Sequence, residues 1–125
     1  MEDVTLAELR DRLGDEALTV LDVRTSLEFE GAAGAHCDPR QGHIPGALNV
    51  PLERILQCRS AADVRDVIGL PEGAEIVAYC HSGGRSAIAC SLLRAAGYDA
   101  RNYAGSWHEW SRDDALPIET TPERD

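Results

Sequence analysis

Val77-Ala78-Tyr79-Cys80-His81-Ser82-Gly83-Gly84-Arg85-Ser86 is the stretch on which the reading of this chain turns. A short apolar run from Ile76 to Tyr79 ends in a cysteine. Five small or polar residues follow, and Ser86 opens an alanine-rich segment that runs to Ala96. The pattern is strand, tight loop, helix, with a thiol as the first loop residue. Gly83 and Gly84 permit positive φ angles, which let successive backbone N–H groups curl toward one centre. Such a nest, with the positive end of the following helix dipole, favours an anion. Over a sulfur it favours thiolate and so makes the cysteine reactive. Arg85 adds a full positive charge. A buried structural cysteine followed by a flexible turn would explain neither the two glycines nor the arginine.

Loop length narrows the chemistry. Four residues separate Cys80 from Arg85, one fewer than in the phosphate-holding loop of cysteine phosphatases. A shorter cradle suits a smaller guest, such as the outer sulfur of a cysteine persulfide. The expected nucleophile is Cys80. His81, Ser82, Gly83, Gly84, Arg85 and Ser86 are the expected substrate-binding loop. His81 either touches the bound guest or faces solvent. Arg85 either binds the guest's anionic end or braces the loop by pairing with Asp22, and the short spacing favours bracing.

Outward from the loop, the chain alternates strands and helices. Thr5-Leu6-Ala7-Glu8 has the form of a capping box, followed by a Leu6, Leu9, Leu13 stripe. Val4 before it suits a short edge strand. Ala17 to Val23 reads as a buried strand, Ser26 to Glu30 as a helical turn, and Leu48-Asn49-Val50 as a short strand. Leu52 to Gln57 and Ala61 to Ile68 read as helices, Glu75 to Tyr79 as the central strand, and Ala100 to Tyr103 as the last. The helix after the loop is expected to bury Ile88, Ala89, Leu92, Leu93 and Ala96, with Trp107 and Trp110 covering the sheet edge. Alternation of this kind gives a parallel sheet with helices on both faces, binding ligands at the C-terminal ends of the strands. Asp22 lies at that edge, where it serves as a turn residue or as a charge partner for Arg85 and the loop amides. Asp22 and Arg24 are expected to support the loop rather than react.

The Gly31 to Gln41 connection is too rich in glycine and proline for regular structure. His36, Cys37, Asp38 and His43 carry metal-ligand side chains, but a solvated loop with an incidental cysteine is the expectation, and no metal is assigned. His43 reads as a packed, hydrogen-bonded residue, and His108 and Glu109 as surface. Four cysteines, at 37, 58, 80 and 90, include no Cys-x2-Cys spacing. They are expected to be free thiols.

The chain has 125 residues, 43% hydrophobic and 27% charged, and a net charge of −10. This fits one globular domain, residues 1–125, with a core at about 4–118 and a polar tail over 119–125. All 12 basic residues are arginine. The acidic balance argues against nucleic acid and anionic membranes as partners. The acidic N-terminus lacks the profile of a signal peptide, and cytoplasm is the expected location.

Four stretches together resemble the rhodanese-like sulfurtransferase family. Cys80 to Ser86, led by Tyr79, is similar to its active loop. Leu21-Asp22-Val23-Arg24 with Glu28-Phe29 is similar to its first signature, and Gly42 to Pro51 to its second. Asn102 to Trp110 is similar to its C-terminal one. The long 31–41 connection and the Gly-Ser-Trp ending look like the catalytic C-terminal half of tandem thiosulfate sulfurtransferases. The resemblance implies an α/β, three-layer fold with a five-stranded, mostly parallel sheet. It implies that Cys80 takes a sulfane sulfur from a donor such as thiosulfate and passes it to cyanide or a thiol, with no cofactor. Without the silent half of tandem relatives the site should be open, or covered by a homodimer partner. A sulfur-relay protein with a dedicated acceptor shares this chemistry. A cysteine phosphatase or arsenate reductase fits the loop length less well, and a non-catalytic binding module fits the presence of Cys80 less well.

Overall fold

The computed structural model describes residues 2–121. Its strands are β1 (Leu18–Asp22), β2 (Leu48–Asn49), β3 (Glu75–Tyr79) and β4 (Asp99–Asn102). The helices are α1 (Leu6–Asp11), α2 (Ser26–Glu30), α3 (Leu52–Leu56), α4 (Ala61–Ile68), α5 (Gly84–Ala95) and α6 (Ser106–Trp110). The strands form one parallel sheet in the order β2-β1-β3-β4. Val20 pairs with Val77 across its centre.

Among the described residues the sheet has four strands, not the expected five. Val4 donates one backbone hydrogen bond to the Asn102 carbonyl, at 2.8 Å. Thr5 then caps α1, so the chain turns into a helix before a ladder can form.

Alternation along β1 and β3 sends side chains to two separate cores, the period-two rule of a strand. Leu21, Ile76 and Ala78 pack with Ile55, Val64, Ala89 and Leu93 under α3, α4 and α5. Val20, Val77 and Tyr79 pack with Leu9, Tyr103, Trp107 and Trp110 under α1 and α6. The result is three layers. Each tryptophan, wholly buried, removes roughly 150–250 Å² from water, worth several kcal/mol at about 25 cal/mol per Å².

Local signals set most helix ends. Ser60 accepts the Asp63 N–H at the start of α4, and Gly69 closes it in the left-handed conformation. The complete capping box lies at Thr25–Glu28 rather than at Thr5–Glu8. At Thr5 the Glu8 carboxylate takes the threonine hydroxyl, at 3.2 Å, instead of the backbone N–H.

The 31–41 connection is not a free loop. Asp38 is buried, and the Arg40 guanidinium donates to the carbonyls of Trp110, Ser111, Asp113 and Leu116. The C-terminal segment is held too. His43 and Glu119 exchange two backbone bonds, at 2.8 and 2.9 Å, so order continues past residue 118, and the expected tail lies outside the described residues from 122 on. No helix among the described residues is long and apolar enough to cross a membrane.

Candidate functional site

Cys80 directly follows β3, at the C-terminal edge of the sheet, and α6 holds it from behind. Its N–H donates to Ser106 Oγ at 3.1 Å, and its carbonyl accepts from Trp107 N at 2.9 Å. The next carbonyl, His81, accepts from His108 N at 2.9 Å. Ser106 adopts φ 55°, unusual for a residue with a side chain. Its hydroxyl also donates to the Tyr103 carbonyl, at 2.8 Å.

The loop is tighter than the sequence suggested. Only Gly83 takes a left-handed φ, 93°, and α5 begins at Gly84 rather than at Ser86. Gly83 N–H points at the sulfur, 3.1 Å from Sγ. A Cβ on Gly83 would lie 2.7 Å from the Ala104 carbonyl oxygen, while one on Gly84 would meet nothing within 4 Å. Asn102 Nδ2 donates to the Gly83 carbonyl at 3.2 Å and fixes the turn from β4.

The buried face of α5 also differs from the expected one. Ser86, Ala89, Cys90 and Leu93 point inward, and Ile88, expected in the core, is exposed. Ser86 thereby reaches the site, with its Oγ 3.4 Å from Cys80 Sγ and 3.2 Å from the Gly83 carbonyl. One hydroxyl hydrogen serves only one of these acceptors, and a thiolate would claim it.

Burial pushes the Cys80 thiol up, but the Ser86 hydroxyl and the amides of Ser86, Ser82 and Gly83 outweigh it. The thiol is held below its ordinary value. At Cys90 burial dominates. Its thiol is pushed up to about 11, opposed weakly by Arg94 and the Ala78 backbone. Cys80 is only 1% exposed, so the site is less open than expected, and its outer rim is Ser82 and Gly84. All four cysteines are free.

Arg85 braces, but not against Asp22. Its two terminal nitrogens grip the two oxygens of Glu28, at 2.9 and 3.2 Å. Glu28 also closes the capping box of α2, so one carboxylate ties α2 to the start of α5. Asp22 instead pairs with Arg24, the closest contact being 2.7 Å, with both side chains buried. Arg24 also donates to the Gly42 carbonyl at 2.6 Å and lies over the Trp107 ring at 5.0 Å. The Asp22–Arg24 pair thus makes no hydrogen bond to Arg85 or to the groups that donate to Cys80 Sγ.

Burial raises the Glu28 carboxyl, yet Arg85 and Thr25 more than reverse this and hold it at about 2. A depressed carboxyl stabilises the fold above its ordinary value of 4.5, and that contribution is lost as pH falls through about 2. Glu28→Gln should therefore unfold at lower urea than the wild type near neutrality. The gap should close as pH drops from about 4.5 to about 2. A gap of constant size across that range would show that the ion pair contributes nothing.

Sequence reasoning missed Glu28, Asn102, Ser106 and Asp38 as parts of the site. The Thr25-x-x-Glu28 spacing was a legible signal for the first; the others depend on folding. His81, read as either a donor contact or a solvent-facing residue, and His108, read as surface, converge on Asp38. His43 packs as expected, its ring stacked on Phe29 at 3.6 Å, and His36 is exposed.

The family model of the Rhodanese-like domain matches residues 5–113. The chain is 32% identical over 119 residues to a thiosulfate sulfurtransferase of Pseudomonas aeruginosa, covering 89% of this chain and 43% of that protein. It is 31% identical over 119 residues to the thiosulfate sulfurtransferase of Azotobacter vinelandii, with the same coverage. A solved structure described as a probable thiosulfate sulfurtransferase superposes with a TM-score of 0.80 at 44% identity, over 94% of this chain and 47% of that one. The wild-type structure of EanB shares the fold alone, with a TM-score of 0.83 at 22% identity over 94% of this chain and 27% of that one. The chain thus spans less than half the length of these relatives.

Proposed function

Because the chain belongs to the rhodanese-like domain family, we propose that it is a sulfurtransferase working through a persulfide on Cys80. The thiolate attacks the outer sulfur of an anionic donor such as thiosulfate. The Cys80 S–S bond forms as the donor's S–S bond breaks, and sulfite leaves with the electron pair. A thiol or cyanide then attacks the outer sulfur, leaves as a persulfide or thiocyanate, and returns Cys80 to thiolate. No net oxidation occurs and no cofactor takes part.

The observation that carries this reading is the donor set on Cys80 Sγ: the Gly83 amide at 3.1 Å and the Ser86 hydroxyl at 3.4 Å. Such donors stabilise charge on the attacking and on the displaced sulfur alike. Arg85 supports the same reading. Its guanidinium is spent on Glu28, whereas a phosphatase would need it on the phosphate. The substrate-binding roles of His81, Ser82 and Gly84 rest on their place around the rim.

Intact mass of the protein after thiosulfate treatment tests the proposal. One added sulfur is expected on the Cys80 peptide, removed by cyanide with release of an equal amount of thiocyanate. Absence of the adduct, or its appearance on another cysteine alone, would refute the assignment.

A further inference from the structure

Beside the active loop, Cys37, Asp38, His81 and His108 each offer one metal-ligand atom, and these four atoms all lie within 4.8 Å of one another. They come from three separate segments: the 31–41 connection, the active loop and α6. Cys37 Sγ lies 3.8 Å and His108 Nδ1 3.4 Å from Asp38 Oδ1, and His81 Nε2 lies 3.0 Å from Asp38 Oδ2. The two imidazoles stand edge to face, their centroids 5.4 Å apart and their planes at 85°.

A second observation points to a ligand. The Asp38 side chain is 1% exposed, and its Oδ2 has no hydrogen-bond partner; neither has His81 Nε2. The two atoms are 3.0 Å apart, yet the ring N–H direction misses the oxygen, so neither satisfies the other. A buried carboxylate oxygen left bare is costly. Two such atoms 3.0 Å apart are satisfied together by a cation bound to both.

We propose that Cys37, Asp38, His81 and His108 form a site for a late first-row divalent cation, with Zn²⁺ the best match. One thiolate, two imidazoles and one carboxylate form the mixed, borderline-soft set that zinc accepts. Zinc–ligand distances of about 2.0–2.3 Å in a tetrahedron put neighbouring ligand atoms roughly 3.3–3.6 Å apart. The observed separations bracket that range, so side-chain rotations of modest size close the site. Cys37 binds as thiolate, its proton passing to solvent.

Arg112 supplies outer support. It donates to Asp38 Oδ1 at 2.9 Å and to the Cys37 carbonyl at 2.6 Å, which orients the carboxylate and leaves Oδ2 for the ion. Its charge opposes a cation, but the two anionic ligands outnumber it. The bound ion would tie the 31–41 connection to the active loop and to α6. It would also take His81 out of the rim that meets the sulfur donor. The site stands independently of the sulfur chemistry.

Titration with Co²⁺, read by absorbance, tests it without recourse to activity. One equivalent should bind the wild type with a thiolate-to-cobalt charge-transfer band and the intense visible bands of tetrahedral cobalt. Zn²⁺ should displace it. The spectrum should persist in Cys80→Ser and vanish in Cys37→Ser. Asp38→Asn should weaken binding at least about tenfold. Should Asp38→Asn fail to fold, His108→Ala carries the same expectation from an exposed position. Absence of the band in the wild type overturns the proposal, as does a band that survives Cys37→Ser or disappears in Cys80→Ser.

Discussion

Cys80→Ser is expected to reduce thiocyanate formation from thiosulfate and cyanide to the background rate while leaving the fold intact. Serine fits the same space. Its hydroxyl can accept from the Gly83 amide and the Ser86 hydroxyl, which now contact the sulfur at 3.1 and 3.4 Å. What it lacks is a nucleophile that forms a stable bond to sulfane sulfur. The other thiols are poor substitutes: Cys90 is buried with its thiol pushed up to about 11, and Cys37 and Cys58 have no ring of amides. An unchanged urea midpoint together with lost turnover is the expected pair of results. Turnover that survives the substitution would remove Cys80 from the chemistry.

The second large effect separates two adjacent glycines. Gly83→Ala should cut persulfide formation by about two to three orders of magnitude, the usual cost of losing one preorganised donor to a developing anion. Alanine at φ 93° costs roughly 1–2 kcal/mol. Its Cβ would also stand 2.7 Å from the Ala104 carbonyl oxygen, a backbone atom that cannot swing aside. The turn must move, and the amide aimed at the sulfur moves with it. Gly84→Ala should do none of this. Gly84 has no left-handed φ and no neighbour within 4 Å, and it is already helical, where alanine is favoured by up to about 1 kcal/mol. Single-turnover loading with thiosulfate on both variants, with urea midpoints as control, measures the contrast. Equal losses at the two positions would show that the Gly83 amide does not matter to the sulfur.

The contrast also shows how far the sequence could be read. Gly83 and Gly84 look alike in a string of letters, and both were expected to take positive φ. Where α5 starts decides between them, and that depends on Asn102 and Ala104 arriving from β4 and beyond. A misread buried face of α5 likewise placed Ile88 in the core and left Ser86 without its partner. Elements whose signal is local were legible: α2 and α4 span the residues read as helical, and β3 ends at Tyr79 as read. The loop that carries Cys80 was legible for the same reason, since strand, loop and helix are contiguous.

Partners distant in sequence were not legible. Arg85 was expected to meet Asp22, because both were assigned to one sheet edge. Asp22 is taken by Arg24, two residues away and buried with it, and Glu28 on the next helix is left for Arg85. The 31–41 connection was misread for a related reason. Its composition is that of a solvated loop, and nothing near it in sequence announces that Arg40 will cap four carbonyls beyond residue 109 or that Arg112 will hold Asp38.

The clamp on the active loop from Ser106, Trp107 and His108 has a consequence for the order of synthesis. A chain grows from its N-terminus and begins to fold as it emerges. Cys80 leaves the ribosome 26 residues before Ser106, the acceptor of its own N–H. Until α6 follows, the Cys80 and His81 carbonyls lack the amides of Trp107 and His108, and no Ala104 carbonyl closes over Gly83. The nascent thiol therefore passes through the interval before release without the geometry that activates it. In the proposed chemistry, sulfur loading therefore waits until α6 docks.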